Sequence, residues 1–393
     1  MTQPGTATHY FAGANTPQGF YSRYDQIAPA DADKVFILKG GPGTGKSTFM
    51  KRIASDLLAR GYDVEYFHCS ADNEGIDAIY VPAADAAVMD GTAPHVMDPK
   101  FPGAVEDIIN LGQFWNEAAL RAPEVKAEII RLTRGYKGWF QRAADARRAA
   151  LAWLEEWSAY HRECLDMGRV YAAAEALVAQ LLPVSAVGAS VRAPGGAGTA
   201  PAPDPAETRP ARAGRTRRLF ASAITYAGAR TFLGSLFDGL RRRIVLTGPP
   251  GTGKKTIAGR LADAAVARGV DVEVFHCTMY PDRVDHVRLT AQSTGVITSF
   301  WPHEYTPRPG DEVIDTVAFV DRGRLTAYAE AIAGAEEAYQ AAVRRELYLL
   351  GRAKAWHDEL ERCYAPHMDF AGMESLRQET LQRILALIEE RGA

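Results

Sequence analysis

Cysteine is scarce in this chain, and what there is carries no pairing pattern. Its 393 residues hold four, Cys69, Cys164, Cys277 and Cys363, with no C-x-x-C spacing among them. That excludes a small disulfide-stapled scaffold and suits reduced thiols, so a cytoplasmic location is expected. Long apolar runs are missing as well. None approaches the ~18 residues that cross a bilayer, and no membrane partner is expected. Met1 to His9 is polar and lacks the basic and apolar segments of a signal peptide. Nor is there an excess of one charge: 45 Lys and Arg against 48 Asp and Glu leave a net −3, which gives no general reason for a nucleic-acid partner. The one basic cluster, Arg209, Arg212, Arg215, Arg217 and Arg218, reads as the solvated end of a linker.

What the chain does have is a repetition. Lys34 to Cys69 runs KVFILKGGPGTGKSTFMKRIASDLLARGYDVEYFHC, and Arg242 to Cys277 runs RRIVLTGPPGTGKKTIAGRLADAAVARGVDVEVFHC. At a constant offset of 208, 18 of the 30 positions from Gly40 to Cys69 are identical without a gap. Random pairing of common residues would match roughly two, so the chain is an internal duplication. The register continues, with Asp77 on Asp285 and Pro94-His95 on Pro302-His303. Upstream, Tyr10-Phe-Ala-Gly13 is echoed by Leu219-Phe-Ala-Ser222. Between the copies, residues 183–217 are dense in Pro, Ala and Gly and are expected to be a disordered linker. Two tandem domains follow: 1–182, with a core at about 9–112 and a helical arm at about 113–182, and 218–393, with a core at about 219–321 and an arm at about 322–391.

Val35-Phe-Ile-Leu38 is a short apolar run ending in glycines, as a buried parallel strand should be. Lys46 to Arg60 then places Phe49, Met50, Ile53, Leu57 and Leu58 at helical spacing and stops at Gly61. Val64 to Phe67 is the next strand, and Ala86 to Met89 a third that ends in Asp90. Strand, glycine loop, helix and strand make a βαβ unit, repeated from Ile244 to Phe275. The fold class expected is α/β: two tandem P-loop NTPase-like domains with parallel-sheet cores, each followed by a long helical arm. In the second arm Tyr328, Ile332, Ala335, Tyr339, Val343, Leu347 and Leu350 form one apolar face, and Trp153, Trp157 and Trp356 suit helical packing.

Gly40-Gly41-Pro42-Gly43-Thr44-Gly45-Lys46-Ser47 satisfies G-x-x-x-x-G-K-[ST] between a strand and a helix. Glycines let backbone N–H groups converge on phosphate oxygens at the positive end of a helix. Lys46 is expected to neutralise the β- and γ-phosphates of ATP, Ser47 to offer its hydroxyl to Mg²⁺, and Thr48 to reach the α-phosphate through its backbone. Asp90 is the expected second Mg²⁺ ligand, the alternative being that Asp90-Gly91 only makes a turn. Lys46, Asp90 and Glu74 are the expected catalytic residues, with Asp72, Asp77 and His95 as further candidates for the base. Copy two keeps Gly248, Gly251, Thr252, Gly253 and Lys254 as a phosphate loop, but Ser47 becomes Lys255 and Asp90 becomes Thr298. The second site is therefore read as degenerate. Lys255 would supply positive charge there, or Thr256 the hydroxyl after a one-residue shift. His68-Cys69 recurs as His276-Cys277 and reads as a packed pair at a strand end. One His-Cys pair per copy is too few for a zinc site.

The stretches His9-Tyr-Phe-Ala-Gly-Ala-Asn-Thr-Pro-Gln-Gly-Phe20, Lys39 to Ser47, Val88-Met-Asp-Gly-Thr-Ala-Pro-His95 and Pro102-Gly-Ala-Val-Glu-Asp-Ile-Ile-Asn-Leu-Gly112 resemble a bacterial family of tandem P-loop proteins. Its members are labelled "ATPase" or "nucleotide kinase". The resemblance implies ATP binding in the P-loop NTPase superfamily and brings no substrate. Three functions follow from such a loop. The first is Mg-dependent ATP hydrolysis relayed to the arms, with a protein partner. The second is phosphoryl transfer to a nucleotide or other small-molecule acceptor, with Arg121, Arg131, Arg134 and Arg142 as a lid. The third is a non-enzymatic nucleotide-sensing scaffold.

Overall fold

The computed structural model describes residues 3–94, 96–183 and 212–392. Copy one runs β1 (Ala7–Tyr10), the hairpin β2 (Gly13–Thr16) and β3 (Gly19–Ser22), β4 (Lys34–Lys39), α1 (Lys46–Ala59), β5 (Val64–His68), β6 (Ile76–Val81), β7 (Ala86–Asp90) and β8 (Glu106–Asn110). Its arm holds the short α2 (Glu117–Leu120), α3 (Pro123–Glu163) and α4 (Met167–Leu181). Copy two repeats the plan with β9 (Thr216–Leu219), β10 (Ser222–Thr225), β11 (Gly228–Thr231), α5 (Leu233–Phe237), β12 (Arg242–Thr247), α6 (Lys254–Ala267), β13 (Val272–His276), β14 (Val284–Leu289), β15 (Thr294–Thr298) and β16 (Glu312–Asp315). Its arm holds α7 (Arg322–Leu325), α8 (Ala329–Tyr364) and α9 (Phe370–Gly392). Among the described residues no helix is long and apolar enough to cross a membrane.

The two six-stranded sheets have the same order, β1-β5-β6-β7-β4-β8 and β9-β13-β14-β15-β12-β16. β4 lies between β7 and β8 and is parallel to both, which buries Val35 to Leu38 and explains that unbroken apolar run. The sheets are mixed rather than wholly parallel, because β6 is antiparallel to β5 and β7. The chain length dictates it. A parallel return needs a crossover of about a dozen residues or more, whereas residues 69–75 and 82–85 can only double back.

The last helix of each arm packs on the other copy's core. α3 is 41 residues, roughly 60 Å of helix, and runs antiparallel to α8. Three contacts fix that direction: Tyr328 Oη donates to Glu163 Oε2 at 2.8 Å, Arg147 pairs with Glu346, and Gly135 meets the Trp356 ring. α3 thereby carries α4 to copy two, where Val170, Ala174, Leu177 and Val178 join Ile244, Ile257 and Leu261 in one buried cluster. α9 makes the reverse journey, placing Met373, Leu381 and Ile384 among Phe36, Phe49 and Met50 of copy one. Arg377 pairs with Asp56 at 2.7 Å and Arg260 with Glu175 at 3.0 Å across these same contacts. The exchange is sealed by isolated bridges, Trp115 with Met368 and Leu165 with Val320.

A local two-fold relates the copies. Phe11 N donates to Phe220 O at 3.0 Å and Phe220 N to Phe11 O at 2.9 Å. The arginine cluster departs from the expected solvated linker. Thr216–Leu219 forms edge strand β9, and Arg217 donates two hydrogen bonds to Glu65 of copy one, at 2.9 and 2.6 Å, its guanidinium stacked over Tyr10. Edge pairing to β13 gives these residues a ladder, and a carboxylate fork meets the charge. Arg212 pairs with Asp271 at 3.0 Å, and Arg209 lies outside the described residues.

Exchanged arms make the halves interlocked, so cutting the chain at a protease site engineered between residues 184 and 211 should leave a single particle in gel filtration. Two separating halves would show that the arms belong to their own cores. Ile384→Ala, at a side chain with no exposure, should destabilise copy one by about 2–5 kcal/mol in denaturant titration.

Candidate functional site

The first glycine loop leaves β4 at Gly40 and enters α1 at Lys46. Gly43 and Gly45 have φ of 70° and 78°, a left-handed backbone where a side chain would be strained. Thr44 is fully buried and its Oγ1 donates to Gly41 O at 2.8 Å, bracing the turn. Lys46 Nζ turns back into the loop, donating to Gly40 O at 2.8 Å and Gly41 O at 2.9 Å, with Asp90 Oδ2 3.6 Å away. Asp90 ends β7 in register with Leu38, the last apolar residue before the loop. Its Oδ1 accepts from Thr92 N at 2.8 Å, and Thr92 Oγ1 donates to Gly40 O at 2.9 Å. The Asp90 turn and the ion pair with Lys46 thus coexist. Pro42 is half-buried in the loop, Ser47 Oγ accepts from Ile76 N at 3.1 Å, and Thr48 is exposed on the first turn of α1.

The other candidates spread outward. Glu74 is exposed, and its carbonyl rather than its carboxylate meets Lys51. Asp72 lies 3.7 Å from Lys354 of the second arm. Asp77 is buried against Tyr24, whose phenol is pushed well above its ordinary pKa by burial and then by that carboxylate. His95 lies outside the described residues. His68 Nε2 sits 2.9 Å from His9 Nδ1, and burial, with Arg230 nearby, takes its pKa down to about 3. Burial lifts the Cys69 thiol well above its usual range, so this pair is packed and neutral.

Sequence reasoning missed the residues supplied by the exchanged arms. A Cβ on Gly43 would stand 2.8 Å from the Glu361 carbonyl and 3.3 Å from the Tyr364 Cβ. The end of α8 therefore lies against the first loop, bringing Lys354, Asp358 and Glu361. Lys354 is paired with Asp358. The side-chain ligand atoms of His357, Asp358 and Glu361 lie within 4.8 Å of one another. Of the arginines expected as a lid, Arg121 pairs with Glu117, Arg131 pairs with Glu128 and stacks on Trp356 of the other arm, Arg142 donates to the Gly138 carbonyl, and Arg134 is exposed. No periodicity distinguishes a helix that covers its own core from one that covers its neighbour's.

At the second loop the end of α3 takes the same post. A Cβ on Gly251 would fall 2.2 Å from the Ser158 carbonyl, and one on Gly253 2.8 Å from Val170. Gly248 has a φ of 123°, and Thr252 Oγ1 donates to Pro249 O at 2.9 Å. Lys254 Nζ donates to the Gly248 and Pro249 carbonyls, the latter at 2.6 Å. Thr298 sits opposite Leu246, in the register Asp90 has to Leu38. Lys255 is ion-paired with Asp285, which holds its pKa above the ordinary lysine value. Burial takes Lys254 the other way, down to about 7.

That depression has a sign. Below pH 7 Lys254 is charged in both the folded and the unfolded chain, and the cost of desolvating it is fully present. Between about 7 and 10.5 the unfolded chain binds the extra proton, so stability rises with pH through that window. Lys254→Met should accordingly stabilise the protein at neutral pH by up to a few kcal/mol, a gain that vanishes toward pH 10.5 in denaturant titrations. A gain independent of pH would refute the charge argument.

A family model described as "Nephrocystin 3, N-terminal" matches residues 22–79, the segment from β3 to β6 that contains the first loop and α1. No curated protein and no solved structure matches the chain. The similarity covers a small part of one of two α/β domains that repeat each other's sheet order.

Proposed function

We propose that this chain is a P-loop NTPase that binds Mg-ATP at Gly40 to Ser47 and hydrolyses it, while its second loop has lost the metal-dependent part of the chemistry. The observation that carries the reading is the meeting of Lys46 and Asp90 at 3.6 Å, where a glycine loop, a helix start and a neighbouring strand end converge. Backbone N–H groups of Gly43 to Thr48 would cradle the phosphates. The Lys46 ammonium, now on two carbonyls, would exchange them for β- and γ-phosphate oxygens. A hydroxyl at Ser47 and a carboxylate at Asp90 form the oxygen donor set that suits magnesium, and both flank Lys46. Bound there, the ion supplies charge neutralisation across the phosphates.

Closure over the site comes from the second copy. The Glu361 carbonyl rests against Gly43, so a nucleotide that shifts the loop pushes directly on α8 and α9. Nucleotide state in copy one would thus be passed to a helix rooted in copy two, which supports an energy-transducing ATPase. In the second loop the ammonium of Lys255, fixed by Asp285, stands where Ser47 would hold the metal.

Phosphate release from ATP is the test. Lys46→Ala and Asp90→Asn should each lower it by on the order of a hundredfold, while Lys254→Ala has a mild effect. Equal losses for Lys46→Ala and Lys254→Ala would overturn the unequal roles. Phosphate recovered on an added metabolite instead of in solution would make the protein a phosphotransferase.

A further inference from the structure

Beside the second loop lies a cavity of about 170 Å³ that hydrolysis at the first loop does not use. Its lining includes polar Lys254, His276 and Thr298, the Asp285 carboxylate paired with Lys255, and the aromatic Phe300, Trp301 and Tyr339. Gly251 to Thr256 also borders it, at the amino end of the 14-residue α6.

We infer that this cavity binds, without a metal ion, a phosphomonoester that carries an aromatic body. The loop and helix end offer backbone donors to an anion, and Lys254, only 6% exposed, adds an amine that a bound anion would hold protonated among the cavity walls. Among the described residues Thr298 Oγ1 and His276 Nδ1 have no hydrogen-bond partner, although the two residues are only 5% and 4% exposed. Buried polar atoms are rarely left so, and both line this cavity, where a phosphoryl group offers acceptors and, when protonated, a donor. A divalent cation is disfavoured beside them, since the neighbouring ammonium of Lys255 already satisfies Asp285. A triphosphate, whose charge calls for such a cation, is thereby selected against. The aromatic side is preassembled: Tyr339 stacks with Phe300 at 6.2 Å between centroids and meets Trp301 edge-on at 5.7 Å. Rings so arranged present faces and edges to another ring. Leu154 from α3 supplies an apolar contact.

The test uses the full chain with Lys46→Ala, which removes the first loop's lysine, in EDTA, by calorimetric titration with phenyl phosphate, inorganic phosphate and phenol. Phenyl phosphate should bind at one site, about tenfold more tightly than inorganic phosphate, and phenol should not bind detectably. Lys254→Met and Thr298→Val are near in size to the residues they replace. The first should weaken phenyl phosphate by about tenfold or more and the second by a few-fold, with circular dichroism unchanged. If Lys254→Met failed to fold, Thr298→Val would carry the comparison. Equal affinity for phosphate and phenyl phosphate, a requirement for magnesium, or unaltered binding in both variants would overturn the inference. None of these outcomes depends on whether the first loop hydrolyses ATP.

Discussion

The antiparallel union of α3 with α8 is the constraint on which the other features rest. At its middle, Arg147 Nε donates to Glu346 Oε1 at 2.7 Å, with the two side chains only 1% and 2% exposed. Burying that pair costs solvation, and removing one partner costs more, because it strands the other charge in an apolar wall. The guanidinium also reaches the Asn15 carbonyl in the β2–β3 hairpin, tying the helices to the base of copy one. Near one end, Gly135 admits the Trp356 ring, which a Cβ would meet at 2.1 Å. Charge pairing at the centre and a glycine notch toward the end fix one register. Once these two helices lie together, each core must be completed by the other copy's last helix.

The duplication makes the departures between the two sites easy to interpret, since the scaffold around them is held nearly constant. In copy one a small hydroxyl at Ser47 leaves Asp77 to Tyr24; in copy two a lysine at the same place captures Asp285. The covering helices have diverged in step. Opposite the first loop stand His357, Asp358 and Glu361, all ionisable. The second loop has Leu154, Glu155 and Ser158 in the comparable turns.

Much of each core was legible because its signals are local. The run Val35 to Leu38, the apolar stripe of α1 and the glycine loop between them depend on neighbours within a few residues, and those elements form where the pattern says. Asp90 was legible as the residue closing an apolar strand, although its 3.6 Å approach to Lys46 required the parallel pairing of β7 with β4. Three features were not legible. The antiparallel β6 follows from connection length, which an apolar pattern does not report. The partner of Arg217 lies in the other copy, so its neighbours made it look like the end of a linker. The arms were read as belonging to the cores they follow, since a 3.6-residue period identifies a buried face without naming what buries it.

The reciprocal hydrogen bonds between Phe11 and Phe220 carry a final consequence. They are the contact that two identical subunits would make on a dyad, and the crossed helices are the segments such subunits would trade. This protein is in effect a domain-swapped dimer written as one polypeptide. Separate identical subunits must carry every substitution twice, so a change that suits one pocket is imposed on its twin. Fusion removes that obligation and guarantees a one-to-one ratio of unlike halves. A lysine at position 255 and a serine at position 47 can thus occupy equivalent places within one molecule.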